Sequence, residues 1–274
     1  MERSNLKKMF DKIGARITIR KGISNISRAV SMNISNDKKG EHFTFTINPN
    51  IKESDIMIQI LDIDENLRQM LLFLHFPRIE FDRYGKLMKN KPGDEYEKSR
   101  LLVGHDEMHW FVAGVTNSIT IKQAFERLRP SAVKLSMEKF KVKDKYWRKR
   151  KNKGFIRQGE WFFVPVHFIE NNQTIIHKNE PIRRPNGGKP HFVEELIRFG
   201  GDIVYVKGNN IITEKRYKEL DNSEKYGYTL QVRGAKVLGR GKIKHPDHHT
   251  VELKSWHEIY LSTEVGSSTN SFID

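Results

Sequence analysis

The first third of the chain alternates between apolar and polar positions over short stretches. Arg16–Arg20 (RITIR) and His42–Asn48 (HFTFTIN) carry apolar side chains at every second position, which predicts two half-buried strands. Ile56–Ile63 fits a strand or the start of a helix, and Glu65–Phe76 fits a helix or a buried strand. Asn5–Ile13 is a short amphipathic segment. This part of the chain is therefore predicted to be rich in strands.

Residues 77–98 interrupt the pattern with charged residues, two prolines and two glycines, which predicts a long loop or a boundary between domains. We predict an N-terminal β-rich domain or subdomain over residues 1–90. An α+β domain is predicted over residues 99–274, and a single domain over the whole chain is the alternative.

The middle of the chain changes from strand to helix spacing. Ser99–Val115 contains two short apolar runs on either side of residues 104–108, and the second run favours a strand. A polar Thr-Asn-Ser sequence precedes Ile119–Arg129 and Pro130 follows it, which predicts a helix with an N-cap and a defined end. A second short helix is predicted over Ser131–Glu138.

The last third of the chain predicts further strands and two helices. The predicted helices are Phe192–Phe199, ended by two glycines, and Thr213–Leu220, capped by Thr213. The predicted strands are Gly159–Val166, Asp202–Lys207, Tyr228–Arg233, Ala235–Gly239, His249–Leu253 and Ser255–Leu261. The whole pattern predicts an α+β fold, mainly antiparallel β-sheet with three or four short helices.

Composition and charge narrow the classes of function. The 274 residues are 37% hydrophobic, which is enough apolar material for a core, and the net charge is +15. So positive a chain is attracted to phosphate backbones and other polyanions. The absence of cysteine excludes disulfides, cysteine zinc sites and thiol nucleophiles. The N-terminus lacks the apolar core of a signal peptide, so we expect a soluble, cytoplasmic protein without a membrane partner.

The strongest charge feature is the basic segment, Lys139–Arg157, with ten Lys or Arg against one Asp. Such cations neutralise phosphates, and aromatic side chains among them can stack on bases. The alternative is a solvated surface loop that Trp147 anchors to the core. The predicted nucleic-acid contacts are Lys143, Lys145, Tyr146, Trp147, Arg148, Lys149, Arg150, Lys151, Lys153 and Arg157.

Two further basic stretches extend this prediction. Arg183, Arg184 and Lys189 lie in a glycine-rich loop, and Arg240, Lys242 and Lys244 would share one face of a strand. Both sets are predicted phosphate contacts. Lysines that protect a sheet edge from pairing with another strand are the alternative explanation for the second set.

Two histidine clusters are the candidate catalytic residues. His105, Glu107 and His109 would face one way on a continuous strand, and on a helix His105 and His109 would also lie on one face. The sequence His245-Pro-Asp-His-His249 supplies His248 and His249. Imidazole and carboxylate groups suit an acid/base pair or a divalent metal such as zinc, manganese or iron. Ordinary turn chemistry around Pro246–Asp247 and a buried structural histidine are the alternatives. Convergence of the two clusters at a cavity would favour an enzyme.

Three hypotheses for function follow. The first is a nucleic-acid-binding protein, an accessory component of a nucleoprotein machine, that contacts the phosphate backbone through the basic segment. The second is a nuclease or phosphodiesterase that uses the histidines and Glu107, with or without a divalent metal. The third is a protein-interaction module for an acidic partner. The sequence does not distinguish DNA from RNA.

Overall fold

The computed structural model describes residues 3–23, 29–79, 96–172, 174–184 and 188–264. These residues form sixteen strands, which are arranged in four sheets. Among them, only the first and third strands in chain order pair in parallel. The predicted α+β fold with mainly antiparallel sheets is confirmed. The described residues contain five α-helices rather than three or four, and the four-residue helix Asn222–Lys225 lies outside every helix that the sequence pattern predicted.

The first sheet and the first helix begin the fold. Here α1 spans Arg3–Lys12, and the strands are β1 (Ile17–Lys21), β2 (Val30–Asp37) and β3 (Gly40–Ile47). The strand order is β1-β3-β2. The helix buries Leu6 and Phe10 against this sheet, where the Phe10 and Phe43 rings lie 5.0 Å apart.

The second sheet has four antiparallel strands in chain order. They are β4 (Met57–Asp64), β5 (Gln69–Pro77), β6 (Tyr96–Asp106) and β7 (His109–Val115). The ambiguous stretch over residues 65–76 is therefore a turn followed by a strand. Strand β5 is buried on both faces, so its apolar residues form a continuous run that does not alternate and can be mistaken for a helix. Met70 belongs to the core shared with the first sheet, and Leu71 belongs to the core that also contains Ile121 and Leu128.

The predicted connector falls mostly on residues 80–95, which lie outside the described residues. The ladder between β5 and β6 joins residues 69–77 to residues 96–104 and so pairs strands from either side of the connector. The division into residues 1–90 and 99–274 stays a prediction.

Two helices follow the second sheet, as the sequence predicts. Helix α2 (Ile121–Leu128) begins after Thr120, whose side chain accepts a hydrogen bond from the backbone N–H of Gln123, and α3 is Ser131–Lys139. Helix α2 covers the outer face of the second sheet, and Val133 of α3 packs into a separate small core. Among the described helices, none combines the length and apolarity needed to cross a bilayer.

The remaining strands form two sheets. The strands are β8 (Ile156–Gln158), β9 (Trp161–Pro165), β10 (His177–Ile182), β11 (His191–Phe199), β12 (Asp202–Lys207), β13 (Asn210–Thr213), β14 (Thr229–Arg233), β15 (Lys236–His245) and β16 (His248–Leu261). The third sheet has the order β10-β11-β15-β16-β9-β8, and the fourth has the order β13-β12-β14. Short helices α4 (Glu214–Lys218) and α5 (Asn222–Lys225) lie between β13 and β14.

The predicted helix over Phe192–Phe199 is wrong, because these residues are in β11. Its apolar spacing suits a helix, but β11 pairs with β10 on one side and β15 on the other, with a register shift between Val193 and Glu195. That shift lets Val193 and Leu196 face the same core, while Ile197 packs into a separate core with Trp256. The two glycines after it have positive φ and turn the chain into β12 rather than ending a helix.

Candidate functional site

Two hairpin turns from different sheets meet at the candidate site. One is the two-residue turn Glu107–Met108 between β6 and β7, and the other is Pro246–Asp247 between β15 and β16. The carboxylate oxygen Oε2 of Glu107 lies 3.2 Å from Nδ1 of His248 and accepts a hydrogen bond from the backbone N–H of His249 at 3.1 Å. The two histidine clusters of the sequence therefore form one site.

His109 lies between two carboxylates at this junction. Its Nδ1 is 2.6 Å from Oε1 of Glu41, and its Nε2 is 3.9 Å from Oδ1 of Asp247. Glu41 also accepts a hydrogen bond from the backbone N–H of Trp110. Burial, the largest single effect, opposes the charge on Asp247, but the hydrogen bonds from the Lys189 ammonium together with the positive charges nearby lower the pKa of Asp247. The junction thus holds an ionised carboxylate beside an imidazole.

The prediction that His105, Glu107 and His109 face one way on a continuous strand is wrong. The chain reverses direction after Asp106, so His105 pairs with Trp110 and packs its ring against the indole edge at 5.0 Å. Glu107 has a φ of 55°, the positive value that the first central residue of a two-residue hairpin turn usually adopts. The ring of His105 therefore packs on Trp110 and does not share a strand face with Glu107.

Arginines of the basic segment turn inward to this site. Arg150 forms ion pairs with both Asp106 and Glu107, and Arg157 forms one with Asp106. The Asp106 and Glu107 side chains are mostly buried, at 24% and 11% exposure. These two arginines were predicted to contact phosphate. In the structure they attach the basic segment to the β6–β7 turn.

A small cavity of about 90 Å³ opens beside His248. One of its walls is apolar, with Trp110, Phe125 and Phe162. The polar residues that line it include Asp106, His109, Arg157, Glu160, Arg184 and His248. Glu160 and Arg184 form an ion pair at 3.2 Å, and both side chains are only 9% exposed. Buried charges of both signs beside imidazoles are the type of environment that acid/base chemistry uses.

Trp147 and several predicted phosphate contacts have structural partners. Trp147 packs against Phe125 with ring centroids 5.5 Å apart, and its carbonyl accepts a hydrogen bond from Arg129, so it anchors the segment. Lys189 binds Asp247, and Arg240 binds Glu195 and Glu170 while lying over the Trp256 ring at 4.5 Å. These side chains are engaged within the protein.

The other predicted contacts are exposed to solvent. They are Lys143, Lys145, Tyr146, Arg148, Lys149, Lys151, Lys153, Arg183, Lys242 and Lys244. Tyr146 is 38% exposed, and the Lys145 ammonium lies 5.2 Å from its ring centroid. The basic segment thus has an inner side that binds carboxylates and an outer side of solvated cations.

A larger groove connects the basic segment to the hairpin junction. It has a volume of about 580 Å³, and its lining includes Glu107, Arg150, Lys151 and His249. This volume is in the range of small-molecule binding sites. The groove is therefore lined by an exposed cation, Lys151, together with the Glu107 carboxylate and the His249 imidazole.

His191 was not grouped with His245 and His248 in the predictions from sequence. Its side chain at the start of β11 is fully buried, and its ring lies 4.1 Å from that of His245 and 5.5 Å from that of His248. Placing residues 192–199 in a helix concealed this neighbourhood. A strand assignment there, pairing Phe192 with Lys244, would have placed His191 beside His245.

Comparison of the chain with protein families, curated proteins and solved structures found no match.

Proposed function

We propose that the protein binds nucleic acid along the outer side of the basic segment. The observation that supports this most is a set of exposed cations that lack an ion pair with any described carboxylate. They are Lys143, Lys145, Arg148, Lys149, Lys151 and Lys153. Free cations release condensed counterions when they neutralise phosphates, which is the main source of affinity for a polyanion.

The inward arginines strengthen this proposal. Arg150 and Arg157 fix the segment to Asp106, and Trp147 fixes it to Phe125. A segment held in this way loses less conformational freedom on binding than a free loop does, so more of the interaction energy appears as affinity. The basic segment is thus a supported surface for a phosphate backbone.

Replacing Lys149, Lys151 and Lys153 together with Ala should weaken binding to both DNA and RNA. For every phosphate that is no longer neutralised, the slope of log affinity against log salt should also become shallower, by roughly 0.9 for duplex DNA and 0.7 for a single strand. Fluorescence anisotropy with labelled oligonucleotides across a salt series measures both effects. Arg150 is left in place because its removal would disturb the site itself.

The matched control replaces Lys7, Lys8 and Lys38, which are exposed lysines outside the segment, with Ala. Both variants lower the net charge of +15 by three, so a general charge effect would weaken them equally. Equal weakening, or binding of an acidic polypeptide in preference to either nucleic acid, would contradict the proposal and favour an acidic protein partner.

A second candidate function is cleavage of a phosphodiester, and the convergence of the two hairpin turns favours it. In the groove, His249 is an exposed imidazole whose backbone N–H donates a hydrogen bond to Glu107, and Lys151 lines the same groove. An imidazole can remove a proton from an attacking water, and a neighbouring cation stabilises negative charge on the phosphorus centre.

Replacing His249 with Ala should lower the rate of cleavage of labelled DNA or RNA by about 100-fold or more, the usual contribution of a general base. The His177→Ala variant, which removes an exposed histidine of β10, should cleave at the wild-type rate. Wild-type protein that leaves both nucleic acids intact, with and without divalent metal, would eliminate this second function without affecting the first.

A further inference from the structure

Three histidines on neighbouring strands of the third sheet form a compact cluster. His191 begins β11, His245 ends β15 and His248 begins β16. One ring nitrogen of each lies within 4.8 Å of those of the other two. The His245 and His248 residues face each other across the β15–β16 turn, and their ring centroids are 4.6 Å apart. The register of the strands in the third sheet therefore brings these three imidazoles together.

His191 is the unusual member of this cluster. Its side chain has 0% exposure, and neither ring nitrogen has a hydrogen-bond partner among the described residues. A buried polar group without a partner destabilises a fold unless a ligand satisfies it.

Polar groups around the cluster orient the other two rings. Nδ1 of His248 is 3.2 Å from the Glu107 carboxylate, and Nε2 of His245 is 3.3 Å from the Lys189 carbonyl. A metal-binding histidine usually donates its second ring N–H to such an acceptor, which fixes the tautomer and leaves the other nitrogen as the ligand. The Nδ1 of His245 also accepts a hydrogen bond from the Asp247 N–H, which a metal would replace.

We infer that His191, His245 and His248 bind one divalent first-row transition-metal ion, with zinc as the ion that matches them best. Three neutral imidazoles are a common ligand set for zinc, and a site with three protein ligands keeps one position for water or substrate. In a tetrahedral zinc site the ligand nitrogens are about 3.3 Å apart, so the rings move closer together on binding. This inference is independent of nucleic-acid binding.

The proposed metal site lies next to the 90 Å³ cavity. His248 also lines the 90 Å³ cavity, whose other polar residues include Glu160 and Arg157. Gly159 is required at this point because a Cβ there would lie 2.6 Å from Nε2 of His248. The ring of His248 therefore packs directly against the backbone that leads into β9, and it belongs both to the histidine cluster and to the lining of the cavity.

The test uses full-length protein without a histidine tag, stripped with chelator and then dialysed against zinc. We expect about one zinc ion per chain by elemental analysis, and cobalt should give the visible absorption bands of a tetrahedral site. His191→Phe, which keeps a buried ring, and His248→Ala should each lose the bound ion. Glu107→Gln should weaken zinc binding by about 10- to 100-fold, as expected for a group that orients a ligand.

The matched control is His249→Ala, which removes the neighbouring exposed histidine and should keep the full zinc content. Zinc should also raise the melting temperature of wild type and of His249→Ala but not that of His191→Phe, which separates binding from misfolding. Wild-type protein that retains no zinc, cobalt or manganese would overturn the inference. So would a His191→Phe protein that binds zinc as tightly as wild type.

Discussion

Replacing Asp106 with Ala is expected to lower the free energy of unfolding by about 3 kcal/mol, the usual cost of breaking a buried ion pair from one side. Asp106 binds both Arg150 and Arg157, whose side chains are only 30% and 16% exposed. Without the Asp106 carboxylate, the two guanidinium groups stay partly buried, and of their two partner carboxylates only Glu107 remains. Urea denaturation followed by tryptophan fluorescence measures the change in stability.

The matched control for this prediction is Asp144→Ala. Asp144 forms an ion pair with Lys122, but both side chains are open to solvent, at 76% and 41% exposure. Exposed pairs of this kind contribute about 0–1 kcal/mol. Equal reductions of stability in the two variants would show that the arginines of the basic segment are not anchored at the hairpin junction.

The regular elements were largely predictable because their patterns are local. The alternating stretch over residues 42–48 is β3, and the helix capped by Thr213 occurs as predicted. The helix predicted over Ile119–Arg129 also occurs, but its N-cap is Thr120 and not one of the three polar residues before Ile119. Prediction failed where tertiary contacts determine the secondary structure. Residues 192–199 have helix-like spacing, and only pairing with β10 and β15 makes them a strand.

The site was predictable in its parts but not in its assembly. The clusters around His105 and His245 were identified separately, yet Glu107 and His248, which meet in the structure, are 141 residues apart in the chain. No local pattern encodes the meeting of turns from two different sheets. Charge density likewise identified the basic segment, but it could not show that Arg150 and Arg157 point inward while their lysine neighbours stay in solvent.

The hydrogen bond between Glu107 and His248 joins the two turns into one site. Glu107→Ala alone should cost about 2 kcal/mol, since Arg150 and the His249 N–H are both deprived of an acceptor. His248→Phe keeps the ring volume and removes the hydrogen bond. Since the two side chains touch, the double variant should be destabilised by less than the sum of the single variants.

A double-mutant cycle on unfolding free energies tests this interaction directly, with Glu107→Ala and His248→Phe as the two changes. We predict a coupling energy of about 1 kcal/mol or more, whereas a parallel cycle with Glu107→Ala and His177→Phe should be additive. If the Glu107 and His248 changes also add to within about 0.5 kcal/mol, the residues are independent and the hairpin junction is not a single site.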